Sequence, residues 1–163
     1  MPDDVYLGNP NLKKANTAIE FTQEQILEFV KCKDDPVYFA KNYVKIVSLD
    51  EGLVPFKPYD FQEKLINRFH ENRFNICKMP RQTGKSTTCV SYLLHYAIFN
   101  DSVNIGILAN KAATARELLG RLQTAYENLP KWMQQGIMVW NKGSLELENG
   151  SKILAASTSA SAV

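Results

Sequence analysis

One short stretch decides the fold class, Pro80-Arg81-Gln82-Thr83-Gly84-Lys85-Ser86-Thr87. The residues before it, 74–79, form an apolar run that predicts a short buried strand. The residues after it, 85–98, have the apolar spacing of a helix. Gly-Lys-Ser between a strand and a helix is the core of a phosphate-binding P-loop. The stretch therefore predicts an α/β fold with a phosphate-binding turn.

Each residue type in this turn suits the binding of ATP and Mg²⁺. Gly84 lets the main chain approach a polyphosphate, and the N-terminus of the following helix adds N–H donors and partial positive charge. Lys85 would reach the β- and γ-phosphates, and the Ser86 hydroxyl would coordinate Mg²⁺. Met79, however, stands where the usual pattern has its first glycine. A glycine turn capping an ordinary helix, with a solvated lysine, therefore remains an alternative. The predicted ligand-binding residues of the turn are Gln82, Thr83, Gly84, Lys85, Ser86 and Thr87.

Two further polar side chains have both a functional and an ordinary interpretation. Arg81 would either stabilise the charge on a transferring phosphoryl group or be a solvated loop arginine. Gln62 follows Tyr59 and Phe61 on a predicted helix, and its amide would either contact the adenine edge or lie at the surface. The residues alone leave both questions open.

The rest of the chain divides into three regions. Residues 1–20 lack periodicity and predict an irregular arm. Residues 21–72 predict a helical subdomain, with a Thr22–Gln25 capping box, a helix start at Asp35-Pro36, and a helix from about Asp60 with Phe61 and Ile66 inward. Residues 73–163 alternate strand and helix, which is typical of a parallel sheet, and end in a β-rich region with a hairpin at Asn149-Gly150.

Composition excludes several classes of protein. The 163 residues are 45% hydrophobic and 22% charged with a net charge of +2, which suits a single core and excludes binding by bulk charge alone. No apolar run is long enough to span a membrane, and no signal peptide is predicted. Three cysteines without metal-ligand spacing suit a reducing compartment and make a zinc site improbable.

Catalysis and nucleic-acid binding have weaker signals. ATP hydrolysis needs an acid pair on a strand after the P-loop; Asp50-Glu51 precedes the loop and predicts a turn. No apolar run after Ser86 ends in such a pair, so either it lies beyond Val163 or the chain does not hydrolyse ATP. Basic residues after the second strand would contact nucleic-acid phosphates or be solvated helix charges: Lys111, Arg116 and Arg121.

Several stretches together resemble the large terminase subunit of T-even-type tailed phages, the DNA-packaging motor. They are Leu7-Gly8-Asn9-Pro10-Asn11-Leu12-Lys13-Lys14-Ala15-Asn16, residues 34–43, Arg81-Gln82-Thr83-Gly84-Lys85-Ser86, Gly106-Ile107-Leu108-Ala109 and Trp140-Asn141-Lys142-Gly143-Ser144. The resemblance implies a RecA-like, additional-strand P-loop ATPase sheet behind an N-terminal helical region. It also implies that Arg81 couples ATP sensing to hydrolysis and that Gln62 binds adenine.

The same resemblance implies double-stranded DNA, a portal protein and a small terminase subunit as partners, in the host cytoplasm at the procapsid portal vertex. The chain is then expected to be the ATP-binding front half of the ATPase domain, without the acid pair and nuclease that follow in the family. We expect exposed apolar surface near Ile107 or Leu108 and self-association of this fragment. A helicase-like P-loop ATPase and a non-enzymatic interaction module that keeps the fold are the alternatives.

Overall fold

The computed structural model describes residues 4–48 and 50–158. Its helices are α1 (Gln23–Asp34), α2 (Pro36–Tyr43), α3 (Asp60–Glu71), α4 (Lys85–Phe99) and α5 (Ala112–Glu127). Its strands are β1 (Val5–Tyr6), β2 (Asn9–Lys13), β3 (Lys45–Ser48), β4 (Gly52–Pro55), β5 (Asn104–Ala109), β6 (Ile137–Trp140), β7 (Ser144–Leu147) and β8 (Lys152–Ser157).

The main sheet has the strand order β5-β8-β7-β6 and is mixed. Strands β5 and β8 run parallel, with Asn104 opposite Lys152, whereas β7 is antiparallel to both β6 and β8. The turn from β7 to β8 contains Asn149-Gly150, with φ of +82° at the glycine, so the predicted hairpin is confirmed. Helix α5 packs on β5, β8 and α4. The α/β class is therefore confirmed, but the sheet is not parallel throughout, because β7 pairs antiparallel with both of its neighbours.

The predicted helix starts are also confirmed. Helix α1 has both bonds of the capping box, from the Thr22 amide to Gln25 Oε1 at 3.1 Å and from the Gln25 amide to Thr22 Oγ1 at 3.2 Å. Asp35 caps α2, where its carboxylate accepts from the Tyr38 amide at 2.8 Å. These local bonds satisfy amides that a helix leaves free at its start. Residues that the apolar spacing places inward are buried here: Phe39, Ala40, Leu94, Leu119, Leu122 and Ala125.

The prediction of a buried strand over residues 74–79 is wrong. These residues form neither helix nor strand, and the side chains of Phe74 and Ile76 are 82% and 101% exposed. A strand exists only where a neighbour accepts and donates its backbone hydrogen bonds. Within residues 4–48 and 50–158, no strand pairs with this segment.

Three smaller details differ from what the sequence predicts. The arm is not wholly irregular, because β1 and β2 form a short antiparallel hairpin that buries Leu12. Asp50-Glu51 does form a turn, but it joins β3 to β4 in a hairpin that the sequence did not predict. Phe61 is 44% exposed rather than inward, while Ile66 on the same helix is buried as predicted.

Candidate functional site

The Gly-Lys-Ser turn opens helix α4. Gly84 is the N-cap residue with φ of +74°, a left-handed conformation that glycine adopts without strain, and Gln82 has φ of +60°. No side chain caps the helix. The first-turn amides of an α-helix have no acceptor within it, so these donors face the turn. The sequence favours this local shape because only the glycine permits the sharp entry into the helix.

Two side chains of the turn bond to its own carbonyl groups. The Lys85 ammonium donates to the carbonyls of Pro80 and of Met79, the latter at 3.2 Å. The Thr83 hydroxyl donates to the Pro80 carbonyl at 3.0 Å. The lysine side chain is therefore folded back onto the main chain of Met79 and Pro80. A bound anion would offer that ammonium a stronger, charged acceptor.

Gln62 lies against the turn from helix α3. Its side chain is 4% exposed, and its Nε2 donates to the Thr83 carbonyl at 3.3 Å. Its Oε1 accepts from the Tyr59 amide at 2.9 Å, which closes a capping-box bond at the start of α3. The surface alternative considered for this glutamine is therefore wrong. The structure brings it together with the P-loop-like turn.

The remaining predicted residues differ in their exposure. Arg81, Gln82 and Ser86 are exposed, and Thr87 is half-buried. None of the hydrogen bonds and ion pairs of the described chain involves the side chain of Arg81 or Ser86. Their polar groups are therefore accessible at the mouth of the turn.

Residues of this turn fit a magnesium-bound triphosphate. Free amides, a left-handed glycine and the Lys85 ammonium form a donor set for phosphate oxygens. The exposed Ser86 hydroxyl, at the second helical position, could supply one oxygen ligand for Mg²⁺, which usually keeps several waters and binds phosphate oxygens. Among the described residues, no group of three or more His, Cys, Asp or Glu is placed to hold a metal ion.

Two features near the turn were missed by the sequence analysis. Thr88 is fully buried and donates from its hydroxyl to the Gly84 carbonyl at 3.0 Å, which fixes the start of α4. Its position four residues after the glycine was the available signal. Tyr59 and Phe61 stack with ring centroids 5.8 Å apart and an angle of 10°, and both rings are exposed. The i, i+2 spacing of these two residues at a helix start does not predict this contact.

The basic residues considered for nucleic-acid binding lie on or just before helix α5. Arg121 forms an ion pair with Glu117 at 2.7 Å, one helical turn away on the exposed surface. Lys111 and Arg116 are exposed. Trp132 and Trp140 pack against Tyr43 and Tyr126 respectively, so both indoles contact aromatic side chains of the protein's interior.

The fold and the turn together place this chain among α/β proteins in which a helix begins at a Gly-Lys-Ser sequence. The sequence profile of the family described as terminase large subunit, T4likevirus-type, N-terminal, matches residues 76–162, more than half of the chain. The chain belongs to this family, as the resemblance indicated, and this relates it to phage DNA packaging. The match includes the turn but begins after Gln62. In the described part of the chain, no helix has the length and apolarity to cross a bilayer.

Proposed function

We propose that this chain is the ATP-binding part of a phage DNA-packaging motor, with ATP·Mg²⁺ held by the turn at the start of α4. One observation carries the proposal: a left-handed glycine, an uncapped helix N-terminus and a lysine ammonium converge on one turn within the residues that match the family. The proposal includes a RecA-like, P-loop organisation of the mixed sheet. In the motor, hydrolysis of the bound ATP would release the free energy that drives DNA packaging.

The residues of this chain would have separate tasks in binding. Lys85 exchanges its carbonyl partners at Met79 and Pro80 for phosphate oxygens, while the first-turn amides of α4 donate to the same anion. The Ser86 hydroxyl provides a ligand for Mg²⁺. Arg81, which is exposed, would approach the terminal phosphate and stabilise charge there.

The partners follow from the proposed role and not from a contact in the structure. We propose double-stranded DNA as the cargo, with a portal protein and a small terminase subunit as assembly partners and the procapsid portal vertex in the host cytoplasm as the place of action. Lys111 and Arg116 on the exposed side of α5 are the candidate contacts to DNA phosphates.

Titration of a fluorescent ATP analogue with Mg²⁺ tests the binding proposal. Lys85→Ala should weaken the affinity about 10-fold or more, since a hydrogen bond to a charged group contributes about 1.5–3 kcal/mol. Lys45→Ala is the matched control, because it removes the same charge at an exposed position on β3, outside the turn. Thermal unfolding of both variants checks that they are folded.

An analogue affinity that Lys85→Ala leaves unchanged would contradict the proposal and favour a module that keeps the fold without nucleotide chemistry. Steady hydrolysis is a separate question. No apolar run after Ser86 in this sequence ends in an acid pair, so we expect the chain to bind ATP with little or no turnover. Steady turnover that Lys85→Ala abolishes would show that expectation to be wrong.

A further inference from the structure

Gln62 joins helix α3 to the turn that opens α4. We propose that Gln62 is a positioning residue, which holds the Thr83–Gly84 peptide in the orientation that binds phosphate, whatever base the nucleotide carries. This inference rests on the proposed nucleotide site and assigns to Gln62 a role other than contact with adenine. The family match begins at residue 76 and therefore does not include Gln62.

The glutamine is itself held rigidly. Its Oε1 accepts from the Tyr59 amide at 2.9 Å, and its side chain is 4% exposed. The next turn of α3 is anchored by Ile66, which is fully buried, and the helix packs on both α2 and α4. The amide group thus belongs to a fixed element and can orient a loop that has few bonds of its own.

The loop in turn depends on that amide. Gln62 Nε2 donates to the Thr83 carbonyl at 3.3 Å, and this carbonyl belongs to the peptide that precedes Gly84. Rotation of that peptide would change the direction of the Gly84 amide as well, because the Thr83 carbonyl and the Gly84 N–H belong to one planar group. A hydrogen bond to its carbonyl oxygen resists such rotation.

The glycine and the glutamine are also matched in shape. A Cβ at Gly84 would lie 2.4 Å from Gln62 Nε2, so the amide of the glutamine would have to leave its present position. Glycine therefore suits this position for two reasons, its left-handed φ and the close approach of the glutamine amide.

Adenine contact and loop positioning make different predictions for a ligand that has no base. A residue that contacts only adenine affects ATP and leaves tripolyphosphate unchanged. A residue that orients the turn affects tripolyphosphate, because that ligand binds through phosphate contacts alone. The affinity for magnesium tripolyphosphate therefore separates the two roles.

Calorimetric titration of the full 163-residue chain with ATP, GTP and tripolyphosphate, each with Mg²⁺, provides the test. Gln62→Met keeps the side-chain length and removes both hydrogen bonds. It should weaken tripolyphosphate binding about 3- to 10-fold, which corresponds to one hydrogen bond, and should weaken ATP and GTP by at least that factor. If this variant does not fold, Gln62→Asn, which keeps the amide but is one methylene too short, should give the same loss.

Gln25→Met is the matched control. Gln25 occupies the same capping-box position at the start of α1, so this substitution removes a similar capping hydrogen bond at a site away from the Gly-Lys-Ser turn. The affinities for all three ligands should therefore stay unchanged. Unchanged tripolyphosphate affinity in Gln62→Met or Gln62→Asn would overturn the positioning role, including the case in which ATP alone binds more weakly. Failure of the unmodified chain to bind any of the three ligands would instead overturn the proposed function itself.

Discussion

His95, on helix α4, belongs to a buried aromatic cluster. Its ring is within 5.5 Å of those of Phe39 and Phe99, centroid to centroid, and its Nε2 donates to the Cys32 carbonyl at 2.9 Å. Within the described structure, its Nδ1 has no hydrogen-bond partner. Burial lowers the pKa of His95 from 6.5 to about 4, because the surroundings disfavour the charged form.

This shift predicts a pH-dependent stability. Between about pH 4 and 6.5 the unfolded chain binds a proton at this histidine and the folded chain does not, so the free energy of unfolding falls as the pH falls. The slope should approach about 1.4 kcal/mol per pH unit. Urea unfolding between pH 5 and 7 measures it.

Two histidine variants test whether His95 is the source of this pH dependence. His95→Gln keeps a donor for the Cys32 carbonyl but does not titrate, so most of the slope should disappear. His70→Gln removes the exposed neighbour whose ring lies 6.1 Å away and should leave the slope largely in place. An equal slope in His95→Gln and the unmodified chain would contradict the assignment.

At the scale of elements, one carboxylate fastens the N-terminal arm to the main sheet. Glu148 accepts from the Lys13 ammonium at 3.0 Å, from the Asn16 amide at 2.9 Å and from the Gly136 amide at 2.7 Å. Burial alone would raise the pKa of Glu148, but these bonds outweigh it and lower the pKa. The main chain of Lys14 also forms an isolated parallel β-bridge with Ile137 of the edge strand β6.

Glu148→Ala should therefore lower the free energy of unfolding by about 2 kcal/mol, because it leaves two amides and an ammonium without their charged acceptor. Limited proteolysis should also cut the arm sooner. Glu117→Ala is the control, since its ion pair with Arg121 is exposed and should contribute less than about 1 kcal/mol. Equal stability losses in the two variants would contradict the fastening role.

Secondary structure was predictable wherever the signal is local. The capping box at Thr22, the Asp35-Pro36 start and the Asn149-Gly150 hairpin depend on residues close in sequence, and all three are confirmed. The segment 74–79 has an equally clear apolar pattern, but a strand also needs a partner. Its pattern therefore did not suffice, and the prediction failed.

At the scale of the whole molecule, apolar side chains remain exposed on the segment 74–79 and on the edge strand β5. Phe74 and Ile76 are exposed on the unpaired segment, and this segment lines an open groove together with Arg68 of α3 and with Asn72, which caps that helix. Strand β5 is at the edge of the main sheet, where Leu108 is 63% exposed while Ile107 is buried. Unpaired strand edges with apolar side chains invite association.

We accordingly expect the isolated chain to self-associate at micromolar concentrations, as measured by light scattering coupled to gel filtration. Ile76→Lys should shift the population toward monomer, because a charge on the exposed segment opposes pairing. Val47→Lys, at another exposed apolar position, on the β3–β4 hairpin, should not. If the unmodified chain has the mass of a monomer over the whole concentration range, this expectation is wrong.

By itself, the sequence determined the α/β class, the family, the helix starts and the position of the Gly-Lys-Ser turn. These depend on hydrogen bonds and φ angles set by near neighbours. Only the tertiary structure decided that Gln62, 21 positions before Thr83, reaches the turn, and that Glu148 holds an arm from the other end of the chain. Such contacts join residues distant in sequence, and their partners exist only once the helices and the sheet have packed together.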